Sequence, residues 1–198
     1  MLDILFLLAC PPANTKDTGT VDGTSSDDTA PAADGELTEA DLLAMLPPCE
    51  RVATDGAIDL DGSCLSGACL GMTYGEIKAV LGEPDNLSVW AFWEEGIIIE
   101  FVDPIDELTD ESRSNAVSAN SDYAGGTSTG LGIGATMSCF VEDLGTPDVA
   151  TFYDVGFGLR LLQAQWVDLN LLVTDLDLTG ANDAVVDLLG FEKYALSI

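Results

Sequence analysis

The chain has 198 residues, of which 6 are Lys or Arg, 35 are Asp or Glu and none is His, for a formal charge of −29. Six scattered cations, Lys16, Arg51, Lys78, Arg113, Arg160 and Lys193, cannot build the basic face that a phosphate backbone requires, so nucleic acid is excluded as a partner. Without His there is no His-based triad, no His-ligated zinc and no imidazole base, so the chain reads as a non-enzyme. Its 47% apolar fraction is enough for a buried core under a solvated acidic surface, one that prefers cations or basic proteins if it selects by charge.

Residues 2–9 form an apolar run too short to span a bilayer, which takes about 20 helical residues. The run ends in Leu7-Leu8-Ala9-Cys10, and Pro11-Pro12 opens a polar stretch of Thr, Asp, Ser, Gly, Ala and Pro that reaches Asp34-Gly35. This junction resembles the lipobox of bacterial lipoprotein signals. The resemblance implies a signal peptide at 1–9, cleavage before Cys10 and a lipid on its sulfur, which would hold the protein in the bacterial envelope facing the periplasm. Pro11, in place of the Asp that marks inner-membrane retention in enteric lipoproteins, leans toward the outer membrane. No Lys or Arg precedes the run and Asp3 stands where the basic region belongs, so the reading expects the true start to lie upstream. Residues 10–36 hold hardly any large apolar side chains and read as a disordered acidic tether.

A Cys-containing extension, 37–69, comes next. Once Cys10 is set aside, Cys49, Cys64, Cys69 and Cys139 are an even number in an exported chain, which predicts two disulfides. Three pairings are open: Cys64 and Cys69 are close enough to join each other, and either could reach Cys49 instead. Cys64-x4-Cys69 is wider than the usual Cys-x2-Cys knuckle and no His assists it, which argues against zinc.

From residue 70 the chain repeats itself. Gly71 to Asp85 aligns without a gap on Gly134 to Asp148, with Thr73/Thr136, Ile77/Phe140, Leu81/Leu144, Gly82/Gly145, Pro84/Pro147 and Asp85/Asp148 in correspondence. After a three-residue deletion, Trp93 to Ile97 aligns on Tyr153 to Phe157. Each copy should open with a short helix: Thr at the N-cap, apolar residues four apart, then Gly and Pro as left-handed cap and stop. Strands should follow over Leu87–Trp93 and Ile97–Val102 in the first copy, 70–130. In the second, 131–198, they are expected over Val149–Tyr153, Phe157–Leu162 and Trp166–Thr174. The expected fold class is α+β, two tandem helix-plus-antiparallel-sheet units.

The pattern Gly-x-Thr, apolar helix, Leu-Gly-x-Pro, strand, turn with Gly, strand looks like the unit of the SmpA/OmlA lipoproteins, which include BamE. It also looks like the β-lactamase-inhibitor-protein fold, which uses the unit in tandem. The resemblance covers roughly residues 70 to 175 and rests on small structural residues. It implies no catalytic site and no cofactor, but protein binding through the sheet surface or its loops, with an envelope protein as partner.

Strand alternation sends Trp90 and Phe92 to one face and Trp93 to the other, and Phe152, Tyr153 and Trp166 fall in the second copy's strands. If helices cover one face, some of these aromatics lie on the open one and are candidates for a partner surface, with the core as the competing place. Asp175, Asp177, Thr179 and Asp183, with Gly180, match the first half of a calcium loop, but Val186 replaces its bidentate Glu. A plain acidic loop before a final helix near Asp183–Leu189 is the competing reading. Asp55, Asp59 and Asp61-Gly62 form a poorer acidic loop, and Gly130, Gly132 and Gly134 suit a turn better than a phosphate loop. The function classes left are an interaction or envelope-assembly module, a calcium- or small-ligand-binding lipoprotein, and an inhibitor of a secreted hydrolase.

Overall fold

A computed structural model describes residues 35–52, 56–156, 159–177 and 186–192, with backbone alone at 154–156, 159–160 and 177. The signal, Cys10, the tether up to residue 34, Asp55, Thr179, Gly180 and Asp183 lie outside the described residues.

Local chemistry sets the three α-helices among the described residues. In α1 (Glu39–Met45) the Thr38 hydroxyl accepts from Asp41 N–H. In α2 (Tyr74–Leu81) Thr73 and Glu76 form a reciprocal capping box. Thr136 is the N-cap of α3 (Met137–Leu144), but its hydroxyl accepts from Glu50 N–H at 2.9 Å and makes no cap bond, because the N-terminal extension takes that acceptor first. Gly82 and Gly145 end α2 and α3 at φ 84°, ψ −170° and φ 81°, ψ −175°. The positive φ is the one the sequence predicts, but ψ near 180° puts both outside the left-handed helical well, in a region glycine alone enters readily.

The strands are β1 (Gly35–Glu36), β2 (Ile58–Asp59), β3 (Cys64–Leu65), β4 (Ala68–Cys69), β5 (Asn86–Leu87), β6 (Ala91–Phe92) and β7 (Ile97–Phe101). There follow β8 (Ser114–Ala119), β9 (Val149–Gly156), β10 (Leu159–Trp166), β11 (Leu171–Asp177) and β12 (Leu188–Glu192). Nine form one antiparallel sheet, in the order β1-β9-β10-β11-β12-β8-β7-β6-β5; β2-β3-β4 form a small second one. The fold class is α+β. Four expectations change here. The stretch expected as one strand, Leu87–Trp93, turns back on itself, with Ser88 N–H donating to the Trp90 carbonyl between β5 and β6. Trp166–Thr174 is broken by a 3-10 turn at Val167–Leu169. Leu188 and Leu189, expected near the end of a final helix, begin β12, because Val173 and Thr174 of β11 offer them ladder partners. Gly35 and Glu36, expected as the end of the tether, pair with Phe152 and Thr151 on the edge of β9.

The helices lie on one face of the large sheet. Trp93 donates its indole N–H to the Gly82 carbonyl at 3.3 Å, and Trp166 does the same to Gly145 at 3.0 Å. The Asp85 carboxylate accepts from Glu94 N–H and the Asp148 carboxylate from Val167 N–H, both at 2.7 Å. Trp166, not Tyr153, thus holds beside α3 the place Trp93 holds beside α2. Phe140 and Ile77 from the helices meet Ile99, Val117, Leu162 and Phe191 from the sheet in one core, each such side chain contributing roughly 1.5–3 kcal/mol by burial.

Two disulfides settle the cysteine pairing. Cys49–Cys139 ties the extension to α3, and Cys64–Cys69 joins directly opposed residues of β3 and β4 around the Ser66-Gly67 turn. The first has local company: Thr136 N–H donates to the Glu50 carbonyl, and Arg51 grips Asp143 with two bonds of 2.8 Å.

Candidate interaction face

Because paired antiparallel residues share a face, the register defines the side of the sheet away from the helices. One row of it runs Asn86, Phe92, Ile98, Ser118, Gly190, Leu172, Gln165, Val149 across eight strands. A second runs Leu188, Thr174, Gln163, Thr151, Glu36, and a third Glu100, Ala116, Glu192.

The middle of this face is buried. Ile98, Ala116 and Leu172 are only 8%, 6% and 9% exposed, yet none belongs to the core that the helices share with the opposite face. Thr174, 4% exposed, has a hydroxyl with no hydrogen-bond partner, and neither has the side-chain nitrogen of Gln163, directly across from it. Buried polar atoms are normally paired, and these two are exceptions out of reach of solvent. Small residues let the strands pack closely here: a Cβ on Gly190 would stand 2.6 Å from the Ser118 hydroxyl oxygen.

The charge is one-sided. Glu36, Glu100 and Glu192 are the charged side chains in these rows, and the described cations turn elsewhere. Arg51 pairs with Asp143 and Glu142, Lys78 with Asp110 and Glu83, and Arg113 donates to the Gly71 carbonyl. Burial, with the Glu100 charge adding to it, holds the half-buried Glu192 carboxyl above the usual carboxylate range.

Of the aromatics the sequence singled out, Trp90 and Phe92 are half-buried and pack edge-on at 6.3 Å, with Phe92 in the first row. Tyr153 is half-buried on the same face, opposite Leu161. Trp93 and Trp166, both 4% exposed, and the buried Phe152 belong to the core, so as partner-surface candidates they are corrected: their place is against the helices.

Comparison with family models, with curated proteins and with solved structures finds no match.

Among the calcium candidates, Asp175 is buried in β11 opposite Leu162 and Asp177 ends that strand. No group of three or more Cys, Asp or Glu among the described residues is placed to hold a metal ion. Asp59 caps its own turn by accepting from Gly62 N–H. Gly130 and Gly134 take positive φ in the turns before α3. What the sequence reading missed are Ile98, Ala116, Ser118, Leu172 and Gly190: no motif marks them, and only the strand order brings them together.

Proposed function

We propose that this chain is a lipid-anchored envelope protein, held through Cys10 and facing the periplasm from the outer membrane, that acts as a non-catalytic protein-interaction or envelope-assembly module. The observation that carries the interaction reading is the aromatic side chain Phe92, half-buried on the face away from the described helices, with Trp90 packed edge-on against it and Tyr153 half-buried on the same face. Binding surfaces use such aromatic residues as anchors. Two disulfides accord with an oxidising compartment.

The same proposal takes residues 70–130 and 131–198 as two copies of one unit, similar to those of the SmpA/OmlA and β-lactamase-inhibitor-protein families. Its support is the recurrence of four features: a Thr N-cap, a positive-φ Gly C-cap, an indole bond to that Gly, and an Asp carboxylate receiving the N–H after the Trp. In both copies the helix precedes four strands in meander order, and the last strands, β8 and β12, pair with each other.

Two experiments test this. The intact mass of the protein from the membrane fraction of its native host should equal the chain cut before Cys10 plus acyl groups; an unmodified soluble chain retaining 1–9 overturns the anchor. A photoreactive residue at Ser118, in the same row as Phe92, should give a protein adduct in intact cells, whereas one at Glu142 on α3 should not. Equal labelling from both positions, or none from Ser118, overturns the interaction reading.

A further inference from the structure

β5 ends the large sheet, and its hairpin with β6 leaves apolar side chains in solvent. Leu87 is 44% exposed, and Val89, in the loop Ser88–Trp90 that joins the two strands, is 64% exposed. Pairing of this hairpin with β7 stops at Ala91, and the loop lies beyond it. Turns are normally built from Gly, Asn, Asp or Ser, and no residue of this loop takes a positive φ, so its backbone accepts polar side chains as well as Val and Trp. A local preference broken with no gain to the fold marks a functional position. From Asn86 to Trp93 the chain carries no charge, and an uncharged strand-forming edge is one that proteins ordinarily blunt with Lys or Pro, or cover. Acids stop short of it. Glu83 and Asp85 precede the hairpin, Glu94 and Glu95 follow it, all four are exposed, and Asp85 ties the two ends together through its bond from Glu94 N–H.

We propose that this hairpin is the element that contacts the partner: its apolar tip, Leu87, Val89 and Trp90, enters an apolar cleft of another protein whose rim carries Lys or Arg opposite Glu83, Asp85, Glu94 and Glu95. The inference rests on the reading of the chain as an interaction module and names the element and the chemistry of its partner. Trp is among the side chains that most often carry binding energy at interfaces, and Trp90 is held at the surface by its edge-on contact with Phe92. Leu87 and Val89 offer apolar area that is still in water and free to be covered. Three residues of extended chain put the tip about 10 Å from the acids at the base, so an apolar floor and a basic rim meet different parts of one hairpin. Among the described residues, only Glu83 of the four acids pairs with a cation, Lys78 at 3.7 Å. Charge selects among occupants. A second copy brought edge to edge would set these acids against their own kind, and an anionic lipid surface would be repelled by a chain of formal charge −29. Residues 10–34 of the chain itself carry several Asp with only Lys16 to offset them. A protein with a basic-rimmed apolar cleft is the complement.

The test uses the full-length protein in its native host, with a photoreactive residue at Val89 and the crosslinked peptide mapped by mass spectrometry. The expected adduct is to a segment of another protein that contains apolar residues together with Lys or Arg. Its yield falls tenfold or more in L87D and threefold or more in E94Q/E95Q. It is unchanged in L43D, which puts the same charge on a similarly exposed Leu of α1, beside the other edge of the sheet. Leu87 and Leu43 are both exposed, so the variants keep the fold, which retention of both disulfides and an undiminished melting temperature verify. An adduct insensitive to L87D or to E94Q/E95Q, one lost equally in L43D, or one to a segment without Lys or Arg overturns the inference. So does an adduct to lipid, to a second copy or to residues 1–34 of this chain. No adduct from Val89 where Ser118 labels a protein overturns it and leaves the interaction module standing, and no adduct from either position overturns both.

Discussion

Removing the Cys49–Cys139 disulfide should be the most damaging change short of opening the core, and loop length sets how damaging. The two cysteines are 90 residues apart in sequence, whereas Cys64 and Cys69 are 5 apart. The chain-entropy relation gives about 4.5 kcal/mol for a loop of the first length and about 2 kcal/mol for the second. Cys139 is wholly buried in α3, so Ala there adds a small packing loss. The assay is urea unfolding of C49A/C139A and C64A/C69A beside the parent protein under non-reducing conditions. C49A/C139A should lose at least twice as much stability as C64A/C69A, with a melting temperature lower by about 9–18 °C at the 2–4 °C per kcal/mol usual for a domain of this size. Its urea slope should also rise, because the freed unfolded chain exposes more surface. The Thr136–Glu50 and Arg51–Asp143 bonds do not replace the crosslink, since they exist only in the native state. If C49A/C139A costs less than C64A/C69A, or leaves the urea slope unchanged, the long loop is not closed by this bond and the reasoning fails.

Gly145→Ala places a Cβ in open space but at φ 81°, so the expected loss of about 1–3 kcal/mol is backbone strain alone; chemical denaturation reads it, and a neutral result refutes the cap geometry. Trp166→Phe keeps an aromatic ring near Phe140 but removes the bond to the exposed Gly145 carbonyl, which should cost about 0.5–1.5 kcal/mol, with Trp93→Phe behaving alike at Gly82. Glu192→Gln bears on pH. A carboxyl raised in the folded state contributes stability that is present below its unfolded pKa and lost as pH rises through the folded one. The variant should therefore melt higher than the parent at pH 7 and gain nothing over it at pH 4, and a pH-independent difference contradicts the burial argument.

The boundaries of α2 and α3 were legible because their signals are local, whereas α1 carried no helix expectation. Thr73 before a capping Glu76, and Gly-x-Pro after the last apolar turn, act through atoms within four residues of one another. The inner turn of the first hairpin was not legible. Leu87 to Trp93 is almost entirely strand-forming residues, and Ser88-Val89 carries neither Gly nor Pro to announce the reversal. The same hidden turn explains the misaligned repeat. Asn86 pairs with Phe92 where Val149 pairs with Gln165, so the second hairpin is ten residues longer. An alignment that keeps gaps short sends Trp93 to Tyr153, while the indole bonds to Gly82 and Gly145 send it to Trp166.

A face is a property of strand order, which is why the candidate site was the least legible part. Phe92, Ile98, Ser118, Gly190, Leu172 and Gln165 come from six strands, and each is unremarkable in its own segment. Ser114–Ala119 carried no strand expectation, because its residues are small and only Val117 is a strong strand former. It is nonetheless a central strand of the sheet, pairing with both β7 and β12. Its smallness serves both sides at once: Val117 and Ala119 fit under the core, while Ala116 and Ser118 fit on the other face between Glu100 and Glu192 and between Ile98 and Gly190. Leu, Phe or Tyr at 116 and 118 would have made the strand plain to read, but Ala116 is buried and the Ser118 hydroxyl stands where a Cβ on Gly190 would, so larger side chains would crowd the neighbouring strands. The residues that hide β8 from sequence reasoning are thus the ones that let it sit between β7 and β12.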